Sequence, residues 1–254
     1  MRPGVAAESP PWIVANPGAD SPFLLLGDHA GQILPLWLTG LGLPPAELDR
    51  HIGWDIGVAG LGQALSRALD ATFIRQRFSR LAIDCNRDPA SPDAIPAVSD
   101  GTAIPGNTDL TPGERQARID LIAQPYHARI SHELDARAAR GLTTVLVALH
   151  SFTPRMNGFD RPWRYGVLHD GRSAFSRAVL ARLRGEFGPE LVGDNQPYSM
   201  DGTDFTVPHH AGPRGLDYLE LEVRQDLMAD PPGEQAVAER LAKILPMALA
   251  DIAG

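Results

Sequence analysis

Short apolar runs alternate along the chain with longer stretches in which apolar residues recur every three or four positions. The most apolar run, residues 142–149, reads Leu-Thr-Thr-Val-Leu-Val-Ala-Leu and is rich in β-branched residues. A strand that is apolar on both faces is typical of the centre of a parallel sheet covered by helices. The remaining runs predict strands at 23–26, 71–74, 81–83, 191–192 and 218–224.

The periodic stretches predict helices. Apolar residues recur at helical spacing within 55–69, 113–140 and 173–187, and again in a C-terminal helix. Pro125 should kink or split the second of these helices, because proline removes a backbone hydrogen bond. Strands that alternate with helices indicate an α/β fold. We therefore predict three layers, with a central mixed, largely parallel sheet flanked by helices.

Length and composition narrow the class of protein. The 254 residues suit one α/β domain, which we expect at 23–254 after a flexible, proline-rich lead-in at 1–22. A net charge of -8 argues against a nucleic-acid partner. No apolar run approaches the roughly 20 residues that span a bilayer, and residues 1–22 lack the apolar core of a signal peptide. The sequence thus predicts a cytoplasmic protein without a membrane partner.

Two histidines follow apolar strands directly. His29 comes after 23–26, and His150 ends the run at 142–149. Ligands bind outside the carboxyl ends of strands in open α/β sheets, and histidine is the commonest metal ligand. Catalytic zinc commonly adds a carboxylate, for which Asp55 is the leading candidate and His51 an alternative. These residues predict a metal centre at the edge of the sheet.

Arginines and a glutamate form a second group of candidates. Lys243 is the single lysine among 23 Lys and Arg residues, and arginine is the cation best shaped to grip a carboxylate. Arg80 and Arg87, with Asn86, lie beside a predicted strand end and suit a substrate carboxylate. Glu222 lies within the alternating strand 218–224, where it could pair with Arg224 on the same face or serve as a general base. Asn195 and Tyr198 lie in a polar loop that suits contact with substrate.

Several segments, taken in order, resemble the N-formylglutamate amidohydrolase family. They are 28–31, 79–87, 125–127, 150–154, 161–163, 195–198 and 222–226. The resemblance covers most of the chain and implies a fold similar to zinc carboxypeptidases and aspartoacylases. It also implies a zinc-dependent hydrolase that cleaves an N-acyl amide next to an acidic amino acid.

The resemblance assigns roles to individual residues. It implies that His29 and His150 bind Zn²⁺, that Asn86 and Arg87 grip the substrate carboxylate, and that Glu222 is the general base. It also places His127 in a family motif, and we expect that side chain to contact substrate together with Asn195, Tyr198 and Arg224. Carboxypeptidase-like enzymes often carry a glutamate three residues after the first histidine, where this chain has Gln32. The carboxylate ligand must therefore come from elsewhere, and we infer Asp55.

The sequence thus predicts that His29, Asp55 and His150 hold zinc while Glu222 activates water. Arg80 would steady the developing negative charge. The substrate would be a small acidic N-acyl amino acid such as N-formyl-L-glutamate. Two alternatives stay open: a metal-free protein that binds an acidic metabolite, and a peptidase of the metallocarboxypeptidase type. The loop at 88–112 is long enough to serve as a lid.

Overall fold

The computed structural model describes residues 9–253. Its strands are β1 (Trp12–Ala15), β2 (Phe23–Gly27), β3 (Thr72–Gln76), β4 (Val98–Ser99), β5 (Thr102–Ala103), β6 (Val145–Phe152), β7 (Arg155–Met156), β8 (Phe159–Asp160), β9 (Tyr165–Leu168), β10 (Val192–Asp194) and β11 (Tyr218–Arg224). Strands β4 and β5 form one small hairpin, and β7 and β8 form another. The other seven strands make up the central sheet.

The sheet has the order β1-β3-β2-β6-β11-β9-β10. Strands β3, β2, β6 and β11 are mutually parallel. Strand β1 is antiparallel to β3, and β9 is antiparallel to β11 but parallel to β10. The prediction of a mixed, largely parallel sheet is confirmed.

Strand β6 lies at the centre of the sheet and is buried on both faces. Val145, Val147 and Leu149 pack into one apolar layer, and Leu146 and Ala148 pack into the other. Alternate side chains of a strand point to opposite faces, so an apolar residue at every position requires cover on both sides. The β-branched run at 142–149 was therefore a reliable sign of a central strand.

Helices cover both faces of the sheet. They are α1 (Pro45–Leu48), α2 (Val58–Ala68), α3 (Pro112–Arg118), α4 (Gln124–Ala139), α5 (Ala174–Phe187), α6 (Thr206–His210) and α7 (Pro231–Ile252). Helices α2, α5 and α7 supply the first apolar layer, and α4 and α6 supply the second. This arrangement gives the three layers that the sequence predicts.

The helix expected at 113–140 changes its winding just before Pro125. A π-helical turn at Ile119–Ala123 joins α3 to α4, and Pro125 occupies the first turn of α4. The wider turn accommodates the proline, which has no N–H to donate to the preceding turn. The predicted interruption therefore takes the form of a local change in helical winding.

The strand predicted at 81–83 is wrong. Residues 80–82 form a turn, closed by a bond from the Ala82 amide to the Ser79 carbonyl at 2.9 Å. Leu81 and Ile83 are apolar because the loop is buried, not because it joins the sheet. Buried backbone groups need partners, and Arg118 provides one by donating to the Ala82 carbonyl at 2.9 Å.

The flexible lead-in predicted at 1–22 is wrong for residues 12–15, while residues 1–8 lie outside the described part. Trp12 pairs with Gln76 and Ala15 with Phe73, so β1 forms an edge of the sheet. Alternation is weak in this short strand, and flanking prolines obscured it. The segment 88–112 carries the β4–β5 hairpin and two short 3₁₀ turns but is otherwise loop. Among residues 9–253, no helix has both the length and the apolar character needed to cross a membrane.

Candidate active site

A cavity of about 620 Å³ opens at the carboxyl ends of the parallel strands. His29 follows β2, His150 lies near the end of β6, and Glu222 lies beside His150 on β11. The loop after β3 contributes Arg80 and Asp84. Convergence at this edge is expected, since parallel strands present their carboxyl ends to one side of the sheet.

Three predicted metal ligands meet inside this cavity. One ligand atom each from His29, Asp55 and His150 lies within 4.8 Å of the others, and all three residues are buried. The Asp55 Oδ2 atom lies 3.5 Å from His29 Nδ1 and 3.1 Å from His150 Nδ1. Ligands of a tetrahedral zinc, each about 2.0–2.1 Å from the ion, are roughly 3.3 Å apart. The donor set therefore fits Zn²⁺ in both chemistry and spacing.

Each histidine also has a carboxylate on its far side. His29 Nε2 lies 2.7 Å from Asp84 Oδ1, and His150 Nε2 faces Asp28 Oδ2 at 3.7 Å. At 2.7 Å, Asp84 can accept the hydrogen of His29 Nε2 and so leave the lone pair of Nδ1 for a metal, whereas the 3.7 Å between His150 and Asp28 exceeds a hydrogen bond. Tyr126 in turn donates to Asp28 Oδ1 at 2.8 Å. Asp28 and Asp84 both belong to motifs quoted in the sequence analysis. Their position next to the histidines, however, is visible only in the structure.

The electrostatics of the cluster favour a cation at its centre. Burial alone lowers the pKa of His150, but the hydrogen bond and charge of Asp55 outweigh it and raise the pKa to about 10. Burial also lowers the pKa of His29, and the charges of Asp84 and Asp55 bring it above the usual value. A field that stabilises a proton on both rings also stabilises a divalent ion between them.

Two buried glutamates of β11 face the cavity. Burial raises the pKa of Glu222 to about 7, although the charge of His150 opposes the shift. Burial and the nearby charge of Asp204 raise the pKa of Glu220 to about 8. The Oε2 atom of each glutamate lacks a hydrogen-bond partner among the described residues. A carboxylate whose pKa lies near neutrality can both accept and release a proton at working pH.

The arginines that the sequence assigned to substrate are already paired. Arg80 binds Asp84 Oδ2 through Nε at 3.1 Å and Nη2 at 2.5 Å, and it contacts Asp55 Oδ1 at 3.3 Å. Arg87 lies 3.6 Å from Asp204 Oδ1. Asn86 accepts from the Thr206 amide at 2.9 Å and donates to Asp204 Oδ1 at 3.2 Å. All three predicted residues line the cavity, and each also contacts an aspartate that lines the same cavity.

Two predicted substrate contacts, His127 and Arg224, do not line the cavity. The ring nitrogens of His127 lie 3.0 Å from His210 Nε2 and 3.0 Å from the Cys85 carbonyl. Its burial lowers the pKa to about 4, so this histidine is a neutral core residue. Arg224 pairs with Asp226 at 2.7 Å and donates to backbone carbonyls. Both side chains therefore pair with other residues of the fold outside the cavity, although Glu222 of the second motif faces it.

Asn195 and Tyr198 do line the cavity. The Asn195 side chain bonds to the backbone of His169 in both directions, at 2.9 and 3.0 Å, and thereby fixes its loop. His51 lies at the rim, 3.3 Å from Asp100, away from the metal cluster. Gln32 donates to Asp49 at 2.6 Å. Its amide therefore takes no part in the metal site.

Sequence reasoning missed Glu220, Asp204 and Arg161 as parts of this region. Glu220 was visible as a polar residue on the same face of a strand as Glu222, and that alternation was the signal available. Asp204 lies in a loop without any periodic pattern. Arg161 lies in a motif of the resembled family, but its surroundings depend on residues distant in sequence.

Comparison with known proteins agrees with the fold and identifies the family. The profile of the N-formylglutamate amidohydrolase family matches residues 21–229. The chain is similar to the gene product Atu2144 from Agrobacterium tumefaciens, with 38% identity, a TM-score of 0.92 and 97% of both chains covered. It is also similar in fold to N-formylglutamate amidohydrolase from Ralstonia eutropha JMP134, with 21% identity, a TM-score of 0.69, and 94% of this chain and 97% of that chain covered. A search of curated proteins finds no match. The chain therefore belongs to the N-formylglutamate amidohydrolase family, a family of amidohydrolases, as the order of its motifs predicted.

Proposed function

We propose that the protein is a zinc-dependent amidohydrolase that removes a formyl or other small acyl group from an acidic amino acid. N-formyl-L-glutamate is the leading substrate. The observation that supports this function best is the convergence of His29, Asp55 and His150 with Glu222 in one buried cavity. The family shown by residues 21–229 supports the reaction class.

His29, Asp55 and His150 would hold the ion. When bound, Zn²⁺ supplies Lewis acidity toward the amide carbonyl and lowers the pKa of water. Glu222 would take the proton of the attacking water and pass it to the departing amine nitrogen, for which a pKa of about 7 is well matched. The products are formate, or another small acid, and the free amino acid.

Arg80 and Arg87 would act on opposite parts of the substrate. Arg80 is locked by Asp84 and Asp55 close to the metal ligands, where its charge would stabilise negative charge that develops on the carbonyl oxygen. Arg87 pairs with Asp204 at 3.6 Å, a loose contact that a substrate carboxylate could replace. Asn86 lines the cavity next to it and would assist in binding that carboxylate.

A metal assay combined with a substrate panel tests the proposal. The unaltered protein and the Glu222→Gln variant are each stripped of metal with a chelator, loaded with zinc and analysed for bound metal. We expect about one zinc in both proteins and hydrolysis of N-formyl-L-glutamate by the unaltered protein alone. No bound metal would instead favour the metal-free binding protein. Release of C-terminal residues from peptides, without cleavage of N-formyl amino acids, would favour the peptidase.

A further inference from the structure

Arg161 is a buried cation that has no anionic partner among residues 9–253. Arg161 directly follows β8 and is 8% exposed. Among residues 9–253, its contacts are the Thr153 carbonyl at 3.4 Å, the Thr153 hydroxyl at 3.3 Å, the Tyr198 hydroxyl at 3.2 Å and Met156 Sδ at 3.1 Å. Buried charges are normally paired with an opposite charge or fully hydrogen-bonded. The environment of Arg161 provides neither.

Two other buried arginines show how a structural guanidinium is satisfied in this fold. Arg118 donates to Asn107 Oδ1 at 2.6 Å, to the Gly106 carbonyl at 2.7 Å and to the Ala82 carbonyl at 2.9 Å. Arg137 donates to Thr144 Oγ1 at 2.9 Å and to the carbonyls of Ala19 and Ser21. The bonds of Arg161 to oxygen, at 3.2–3.4 Å, are longer than those of Arg118, and among the described residues its Nη2 donates only to a thioether, which is a weak acceptor. Arg161 therefore differs from arginines that serve packing.

The neighbours of Arg161 connect it to the active site. Phe152, Thr153, Met156 and Tyr198 all line the cavity. The guanidinium lies 4.9 Å from the centre of the Tyr198 ring and 5.8 Å from that of Phe152. Tyr198 is 42% exposed and accepts a bond from Arg161 Nη1 at 3.2 Å, so a rotation of its ring would free Nη1 for another acceptor.

Distance along β6 indicates which part of a substrate would reach this point. Thr153 follows the metal ligand His150 by three residues, which is roughly 10 Å at the rise of a strand. In an extended N-formyl-glutamate, the side-chain carboxylate is about 6 Å from the formyl carbon by bond lengths. With about 3 Å for a guanidinium hydrogen bond, the formyl carbon and the guanidinium nitrogen would be about 9 Å apart, a span comparable to the separation of the His150 and Thr153 backbones.

We propose that Arg161 binds the side-chain carboxylate of the substrate, which takes the place of the Tyr198 hydroxyl beside Nη1. The subsite is bounded by Phe152, Thr153 and Met156. The proposal rests on the proposed hydrolysis of N-acyl amino acids and adds the residue that selects an acidic side chain. A guanidinium pairs more strongly with a carboxylate than with a hydroxyl, so exchange of partners favours binding.

A matched pair of substrates tests this assignment. N-formyl-L-glutamate and N-formyl-L-glutamine have nearly the same shape and differ in charge. For Arg161→Gln we expect kcat/KM on the glutamate derivative to fall about 10- to 100-fold, mainly through KM, as for loss of a charged hydrogen bond. The glutamine derivative should change less than about threefold. For Arg161→Lys we expect a kcat/KM on the glutamate derivative between that of the unaltered protein and that of Arg161→Gln.

The control is Arg155→Gln, which removes the same charge from an exposed position on the same hairpin, where Arg155 pairs with Asp160. It should leave both rates unchanged, and circular dichroism must show that all variants are folded. If Arg161→Gln keeps the glutamate preference of the unaltered protein, or if that protein has no such preference, the assignment is wrong. If neither derivative is hydrolysed, the proposed function fails instead. Calorimetric binding of L-glutamate and L-glutamine to the same variants then decides the role of Arg161 alone.

Discussion

Glu220 is a buried side chain whose ionisation should affect the stability of the fold. It is buried in β11 beside Asp204, and Asn86 donates to its Oε1 atom at 3.4 Å. Burial and the charge of Asp204 raise its pKa from 4.5 to about 8. The informative perturbation is Glu220→Gln, which keeps the shape of the side chain and removes its titration.

The sign and size of the effect follow from linkage. The folded pKa lies above the unfolded one, so the stabilisation by the protonated form is complete below about pH 4.5 and is lost as the pH rises through about 8. At 1.36 kcal/mol per pKa unit, the wild-type protein should lose about 3 kcal/mol of its unfolding free energy between pH 6 and pH 9 through this group. The Glu220→Gln variant lacks this loss. The difference in unfolding free energy between the variant and wild type should therefore shift by about 3 kcal/mol in favour of the variant from pH 6 to pH 9.

Urea unfolding at pH 6, 7.5 and 9 measures the difference, with chelator in every buffer so that metal binding does not contribute. Glu239→Gln is the matched control, because Glu239 lies on the exposed face of α7 and should leave the pH profile unchanged. Equal m-values would show that the unfolded states are comparable. If Glu220→Gln and wild type lost stability in parallel from pH 6 to pH 9, the argument from burial would be refuted.

Three further changes test the remaining parts of the site. His150→Ala should weaken zinc binding by more than about 100-fold, measured by competition with a chromogenic chelator, whereas the exposed His132→Ala should not. Glu222→Gln should lower kcat by about 10²- to 10⁴-fold at unchanged zinc content, and an unchanged kcat would remove it as the base. A Cβ at Gly31 would lie 2.3 Å from the Arg77 carbonyl, so Gly31→Ala should cost about 1–3 kcal/mol in urea unfolding. Gly113→Ala, which meets nothing within 4 Å, is its control.

The sheet, and the approach of the two candidate metal-binding histidines, could be predicted from local pattern and from position in the sheet. The run at 142–149 is apolar on both faces, and this property alone places β6 in the centre of a sheet. Once β2 and β6 are parallel neighbours, the residues that follow their apolar cores lie at the same edge. His29 and His150 therefore come together without any knowledge of the loops.

Other parts depended on contacts that no local pattern reveals. Leu81 and Ile83 are as apolar as strand residues, but they belong to a buried loop whose backbone is satisfied partly by Arg118, more than thirty residues away. His127 lies in a motif of the family, yet its ring bonds to His210 and the Cys85 carbonyl. A motif identifies a position that the fold needs, and only the structure distinguishes a packing role from contact with substrate.

The proposed metal site takes its carboxylate from a loop, and hydrogen bonds hold that residue in place. Gln32 stands where related enzymes often carry a glutamate, and its amide bonds to Asp49 instead. The Asp55 amide donates to the His29 carbonyl at 2.9 Å, and the Ser151 amide donates to Asp55 Oδ2 at 3.2 Å. These bonds fix the aspartate between the two histidines. Catalytic zinc sites commonly present three protein ligands and leave a fourth position for water, and the number and types of side chains that meet here are consistent with the proposed metal site.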